Sequence, residues 1–564
     1  MKIDSKRASL ILLISFLLVC CSAEESTSTP DDSNTRSGAG EDPFEINAWH
    51  LFNTGQKNFA TNGGTAGMDL QLAETFTAGL SGKGIKILVS DDGMESTHED
   101  LKDNFESSGH KDYTLPAPFT ASEADPKTDN DNHGTAVAGL IAATGGNKLG
   151  SLGVASKAKL HIANFLSENV TQLDLFKLDQ MSSGFDVYNQ SWGYPQYDLV
   201  PISDDYLAQL ESTVTTGRAG KGSLLAKSAG NDYTLRFNAT TRRVGNSGFD
   251  GDNTTPFTVI AAALNAKGTA SSYSSPGANI WISTFGGEFG DTDPALVTTD
   301  RSSCNKGYAE KTSTTNNFEK GGEGNTDCNY TSAFNGTSSA SPEAAGVIAL
   351  LMEANPDLTW RQIKHILAAT ALKVDTTTTS YNNPYVASPA GHTWEQGWVT
   401  NAAQFNFHNR YGFGLVQTDA AIAMAKLAPP NLGTFRRTLN TDGSWMHVRG
   451  PFTRAIPDNS ATGITDAVTV TQTYIIEAVQ IRFSATHANI GQIGWELTSP
   501  AGTKSIVIPI NNALEGLANF TGDTFLTNAF YGETSAGTWT LKAIDGRSGT
   551  TGNFTGWEIL ISGH

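Results

Sequence analysis

Cysteine is scarce, with 4 in 564 residues. That excludes a disulfide-built scaffold, which needs a far denser set. Charged residues make up only 17% of the chain. Coiled coils and solvating disordered chains carry many more. Positive charge is the scarcer sign: 38 Lys and Arg stand against 57 Asp and Glu, for a net charge of −19. Phosphate binding needs clustered Lys and Arg, so no nucleic acid is expected as a partner. The acidic balance favours cationic ligands, either metal ions or basic peptides. Beyond the N-terminal run, no segment reaches the ~18 consecutive apolar residues of a membrane-spanning helix.

Glycine is abundant, at 57 residues, and 38% of the chain is apolar. That is enough for a sizeable core, and the length suits two to four domains of roughly 100–200 residues. Lys2, Lys6 and Arg7 precede an apolar run from Leu10 to Val19, too short to span a bilayer. Cys20 and Cys21 follow. Residues 1–20 resemble a bacterial lipoprotein signal with Cys21 as the lipidated residue. Secretion without lipid is the alternative. Residues 21–41, rich in Ser, Thr, Asp, Glu and Gly, read as a flexible tether. Both alternatives place the protein outside the cytoplasm, in the cell envelope or the medium, and only a lipid anchor would join it to a membrane.

From Asp42 the composition turns globular. Ile85 to Ser90 reads as a buried strand ending in Asp91-Asp92-Gly93. Ala136 to Ala142 reads as a helix just after His133. Leu224 to Ser228 reads as a second strand, stopped by Gly230-Asn231. Ser339 to Ala354 reads as a helix with Pro342 in its first turn, where a missing N–H costs nothing. Alternating strands and helices imply an α/β domain with a mainly parallel sheet over residues 42–429. From residue 430 to 564 the pattern becomes short β-rich runs between Gly, Asn and Thr turns, such as Tyr474 to Phe483 and Trp539 to Ile544. That spacing predicts an all-β sandwich.

Three segments carry chemistry, in this order: Val89-Ser90-Asp91-Asp92-Gly93, His133-Gly134-Thr135-Ala136, and Gly336-Thr337-Ser338-Ser339-Ala340-Ser341-Pro342. Each sets a polar residue at an element boundary. A serine hydroxyl is a weak nucleophile until a base takes its proton, and the base needs an anion to fix its tautomer. Asp, His and Ser supply those parts, in the chain order of subtilisin. No zinc helix, P-loop or dinucleotide fingerprint is present.

With these motifs the chain resembles the subtilisin-like serine proteases, and more closely their kexin/furin proprotein convertase branch. Asp91-Asp92-Gly93, Asn231 within Ser228-Ala229-Gly230-Asn231, and Val297-Thr298-Thr299-Asp300 match that branch. The terminal domain resembles the convertase P domain, a jelly roll, through Leu497 to Thr503, Gly537 to Leu541 and Gly556 to Leu560. The resemblance implies that Asp91 orients His133, that His133 is the general base and acid, and that Ser338 attacks the peptide carbonyl. Asn231 and the Ser338 backbone N–H would hold the oxyanion, one such donor being worth ~2.7–4 kcal/mol.

The same resemblance places Asp250, in Phe249-Asp250-Gly251-Asp252-Asn253, at the base of the S1 pocket. There it would pair with a P1 Lys or Arg. Asp92 and Asp131 would add negative charge near S2. After Ser191-Trp192-Gly193, where the family carries acids, this chain has Tyr194, Pro195, Gln196 and Tyr197, with Asp198 displaced, so selectivity can be broader. A calcium site is implied from side chains of Asp42, Asp100 and Asn147 and carbonyls of Thr144, Leu149 and Ser151. A second, S1-adjacent calcium site is put in doubt by Gly245 and Ser275. Convertases carry a folded propeptide, and the short tether points instead to a separate folding chaperone. Cys304 and Cys328 fall in a long insertion before Ser338. A disulfide between them would add ~3 kcal/mol or a little more. The expectation is an exported, calcium-dependent serine endopeptidase acting on peptides or proteins after Lys or Arg. The alternatives are a broad-specificity degradative subtilase and a surface binding protein on a protease fold.

Overall fold

A computed structural model describes residues 42–564 apart from 115–123, 168–170, 172, 239 and 428. The signal, Cys21 and the tether lie outside the described residues. Seven strands form one parallel sheet: β1 (Lys86–Asp91), β2 (Lys111–Asp112), β3 (Lys159–Asn164), β4 (Val187–Gln190), β5 (Leu224–Ser228), β6 (Thr258–Leu264) and β7 (Ile282–Phe285), in the order β2-β3-β1-β4-β5-β6-β7. The central strands are buried along almost their whole length. This follows from helices covering both faces of a parallel sheet. The chain leaves β1 toward β3 on one side and later returns to β4 on the other. The crevice beyond the carboxyl ends of β1 and β4 is therefore a topological switch point, the usual place for a ligand site.

Two helices feed that crevice. Helix α1 (His133–Ala142) begins at the histidine itself. Helix α2 (Thr337–Ala354) is buried on nearly every side and runs through the core. It starts earlier than the sequence suggests, so Pro342 falls beyond the first turn. The missing Pro342 N–H would leave the Ser338 carbonyl without its helical partner. The Ser191 hydroxyl fills that gap, donating to Ser338 O at 3.0 Å.

The C-terminal region is built from antiparallel strands: β8 (Ile464–Val470), β9 (Ile476–His487), β10 (Ile493–Thr498), β11 (Lys504–Ile508), β12 (Phe520–Thr527), β13 (Gly537–Asp545) and β14 (Gly552–Gly563). One sheet has β14, β9 and β12 side by side, and the other runs β8-β13-β10-β11. Phe483 stacks between Trp495 and Phe525, with ring centroids 4.1 and 4.7 Å away. The two domains exchange core residues. Phe249 from the parallel-sheet domain is buried in the sandwich core, while Ala529 and Tyr531 are buried in the other. Gln480 Nε2 donates to Thr254 O at 2.8 Å, and Arg361 pairs with Glu477 across the same boundary. Among the described residues no helix is long and apolar enough to cross a membrane.

Candidate active site

Asp91 is the last residue of β1, and its side chain is fully buried. His133 opens α1 and keeps 27% of its side-chain surface exposed. Its Nδ1 faces both Asp91 oxygens, at 2.9 and 3.0 Å. Burial alone would lower the imidazole pKa. The Asp91 carboxylate, as charge and as acceptor, together with the charge of Asp92, instead raises it to about 9. Asp92 caps α1 from outside the helix, accepting from His133 N at 3.0 Å and Gly134 N at 2.7 Å. Those N–H groups are orphans of the first turn, so Asp92 fixes the start of the helix that carries the imidazole.

Ser338 is the second residue of α2, where its N–H has no carbonyl four residues back within the helix. Its hydroxyl donates to Ser191 O at 3.1 Å. Gly336, just before the helix, has φ 97°, and a Cβ there would sit 3.2 Å from Asn231 Nδ2. Glycine is needed for both reasons. Asn231 Oδ1 accepts from Thr337 N at 2.8 Å and Thr337 Oγ1 at 2.9 Å. Anchoring the oxygen leaves the Nδ2 end facing Gly336 and the start of α2. Ser90 pairs with Gln190, so Asp91 and Ser191 leave neighbouring strands at the same end, and the Ser338–Ser191 hydrogen bond brings Ser338 with Asn231 to the crevice that holds Asp91 and His133. Sequence reasoning missed Thr337 and Ser191, which aim these groups. It also missed Tyr273, whose hydroxyl accepts from Gly336 N at 2.7 Å.

The acidic residues assigned to substrate binding are less open than the sequence suggests. Asp250 is buried against Lys227, with Nζ 2.9 Å from Oδ2, and the lysine side chain is itself 0% exposed. The lone lysine in the apolar strand Leu224–Ser228 was the available signal for this pair. Asp92 is spent on the α1 cap. Asp131 Oδ2 accepts from Lys127 N at 2.8 Å, Thr128 N at 2.9 Å and Ser167 Oγ at 2.8 Å. Asp198 is exposed and accepts from Leu199 N. Gln196 turns inward instead, donating to Ala229 O at 2.7 Å in the wall that leads to Asn231.

The residues assigned to calcium are gathered around the 144–151 loop. Asp42 accepts from Gly146 N at 2.7 Å and Lys148 N at 2.8 Å. Asp100 accepts from Asn147 Nδ2 at 2.8 Å and Ser151 N at 3.1 Å, and its carbonyl accepts from Thr144 N. Leu149 N donates to Asn147 Oδ1. The buried Ser151 hydroxyl has no partner. Burial, eased by these donors and reinforced by the charges of Asp42 and Glu99, pushes the Asp100 carboxyl up to about 7. Two carboxylates and an orphaned oxygen fit a hard cation in donor type. Among the described residues no cluster of three or more His, Cys, Asp and Glu forms a metal site. Of the two residues that put a second calcium site in doubt, Ser275 Oγ accepts from Asp232 N at 2.8 Å, and a Cβ on Gly245 would lie 2.6 Å from Asp232 O.

Cys304 and Cys328 are joined by a disulfide. Their loop borders the crevice: Tyr308 packs on Phe334 with centroids 5.7 Å apart, and Phe334 on His133 at 5.4 Å. Arg301 reaches back to Asp131 O at 2.7 Å.

Residues 82–414 match the subtilase family model, and residues 476–561 match the proprotein convertase P-domain. The chain is 34% identical over 560 residues to the Aeromonas extracellular serine protease of Aeromonas sobria, covering 92% of this chain and 86% of that one. It is 28% identical to neuroendocrine convertase 2 of Drosophila melanogaster, covering 93% and 72%. The crystal structure of the Aeromonas sobria serine protease in complex with the chaperone (ORF2) superposes with a TM-score of 0.84 and 30% identity, covering 95% of this chain and 98% of that one.

Proposed function

The chain belongs to the subtilase family and is a serine protease with a P domain, and on that premise we propose that it is an exported endopeptidase cutting after Lys or Arg. Ser338 leaves the Ser191 carbonyl and gives its proton to His133 Nε2 as Oγ attacks the substrate carbonyl. The His133 Nδ1–H donates to Asp91, which fixes the tautomer and stabilises the imidazolium. Asn231 Nδ2 and the Ser338 N–H receive the oxyanion, one donor contributing ~2.7–4 kcal/mol. His133 then returns the proton to the leaving amine, and water releases the acyl group by the same route. The observation that carries this reading is the convergence of the Asp91–His133 hydrogen bonds with an Asn231 amide anchored by Thr337 beside Ser338.

Preference for a basic P1 residue is supported by Asp250 and Asp252 against the single buried Lys227. The pairing of Asp250 with Lys227 also favours the broad-specificity reading as the second. Calcium held by Asp42, Asp100, Asn147 and the carbonyls of Thr144, Leu149 and Ser151 would neutralise the gathered carboxylates and stiffen the loop. Export is supported by the extracellular relative, with attachment through Cys21 as the finer form of that proposal. A separate chaperone is supported by the relative solved with one. Expression of the chain alone to full activity would count against it.

The test is fluorophosphonate labelling and cleavage of a peptide library varied at P1 and P2, with Ser338→Ala as control, with and without chelator. Labelling lost in the control, basic P1 products and a melting temperature lowered by chelation would support all three parts. Apolar P1 products would sink the Lys/Arg preference alone. Absence of labelling from protein folded with its chaperone would sink the catalytic assignment.

A further inference from the structure

The Asp250–Lys227 pair sits where the two walls of the crevice meet. Lys227 is the fourth residue of β5, whose chain continues through Ser228 to Gly230-Asn231. Its ammonium also donates to Trp192 O at 3.0 Å and lies 5.1 Å from the Trp192 ring. Asp250 Oδ2 accepts further from Tyr194 N at 3.1 Å, and Oδ1 from Asp252 N at 3.0 Å. A Cβ on Gly193 would fall 2.7 Å from Asp250 Oδ2 and 3.3 Å from Lys227 Nζ. The pair therefore lies directly beneath Gly193, two residues along from Ser191, the partner of Ser338.

We propose that Lys227 is a specificity-determining residue, a resident cation that occupies the Asp250 carboxylate and so weakens selection for a basic P1 side chain. The proposal rests on the protease reading above. A substrate ammonium that reached Asp250 would have to share it with a like charge a few ångströms away. An uncharged side chain of similar length meets a neutralised floor beside the Trp192 ring. Lys227 is thus the repulsive element that sets a ratio between substrates. Asp252 is the other charged group at this floor, and burial and the charge of Asp250 push its carboxyl up to about 7, against the pull of Lys227. Lys227 therefore weakens the preference for a basic P1 residue without abolishing it.

The test uses two peptides alike except for Lys or norleucine at P1. The ratio of their kcat/KM values is measured for the wild type, Lys227→Met and the double variant Lys227→Met/Asp250→Asn, with active enzyme counted by fluorophosphonate titration. Lys227→Met is expected to raise the Lys-to-norleucine ratio at least tenfold. The double variant removes both charges of the pair, leaves Asp252 as in the wild type, and is expected to stay within about threefold of wild type. An unchanged ratio in folded Lys227→Met would overturn the proposal. So would a collapsed ratio in the double variant, because Asp250 would then be engaging P1 despite Lys227. If Lys227→Met does not fold, the double variant, which removes Asp250 together with its partner, decides alone. A wild type that prefers norleucine would sink the Lys/Arg reading while leaving the role of Lys227 open to the same comparison of ratios. A wild type that is never labelled would sink the protease reading instead.

Discussion

Asp91 and Asp250 are both buried carboxylates at the crevice, and each holds a basic partner. They differ in what that partner can do. His133 keeps 27% of its side chain exposed, whereas Lys227 exposes none. In the proposed mechanism the first pair passes a proton to a bound substrate. The second is sealed, and in the proposal above it sets only the charge of the P1 floor. They also differ in their supports. Asp91 stands at the end of a strand inside the parallel sheet. Asp250 follows Phe249, which is packed in the core of the other domain. The Asp91–His133 pair is thus held within one domain, and the Asp250–Lys227 pair is braced by both.

The largest effect that would break this comparison is Asp91→Asn. It leaves the shape but loses the acceptor that fixes the His133 tautomer, so kcat is expected to fall about 10⁴-fold for every substrate. The P1 ratio should not move, and steady-state kinetics on two P1 peptides would read both quantities. Next comes Phe249→Ala. Removing this buried ring should cost about 3–5 kcal/mol, read by denaturant unfolding. It should also loosen Asp250 and shift the P1 ratio. Leu88→Ala, within the parallel-sheet core, should lower stability and leave that ratio alone. Equal behaviour of the two variants would remove the two-domain account of the floor. Asn231→Ala follows, with kcat expected to fall about 10²–10³-fold at nearly constant KM.

Much of the proton-transfer side was legible in the sequence, because its residues sit in short motifs at element boundaries. Asp91 ends an apolar run, His133 begins another, and Ser338 precedes a helix-rich stretch. The floor was legible only in part. Asp250 was identified, but it lies between two short turns and its partner stands 23 residues away in β5, and local patterning does not report a contact between a loop and a distant strand. The structural duties of Asp92 and Asp131, a helix cap and a turn tie, were missed for a related reason. A carboxylate that caps a helix or ties a turn looks the same in sequence as one that faces a ligand. Pro342 shows the same limit, since its orphaned acceptor is rescued by Ser191, far away in the chain.

The smallest effect concerns pH and sharpens the contrast between the pairs. His133 must be neutral to accept the serine proton. Asp91 and Asp92 outweigh the effect of burial and raise its pKa from 6.5 to about 9. A raised pKa keeps the imidazole protonated at neutral pH, so kcat/KM should climb as pH rises and level off only in the alkaline range. Asp92→Asn removes one of the charges holding the imidazolium and should move that limb toward acid by less than one unit, under ~1.4 kcal/mol. Lys227→Met, which alters the sealed pair, should leave the limb in place on the norleucine peptide. A limb below 6.5 would mean that burial dominates at His133. A limb that moved with Lys227 would mean that the two pairs share one field and are not separate devices.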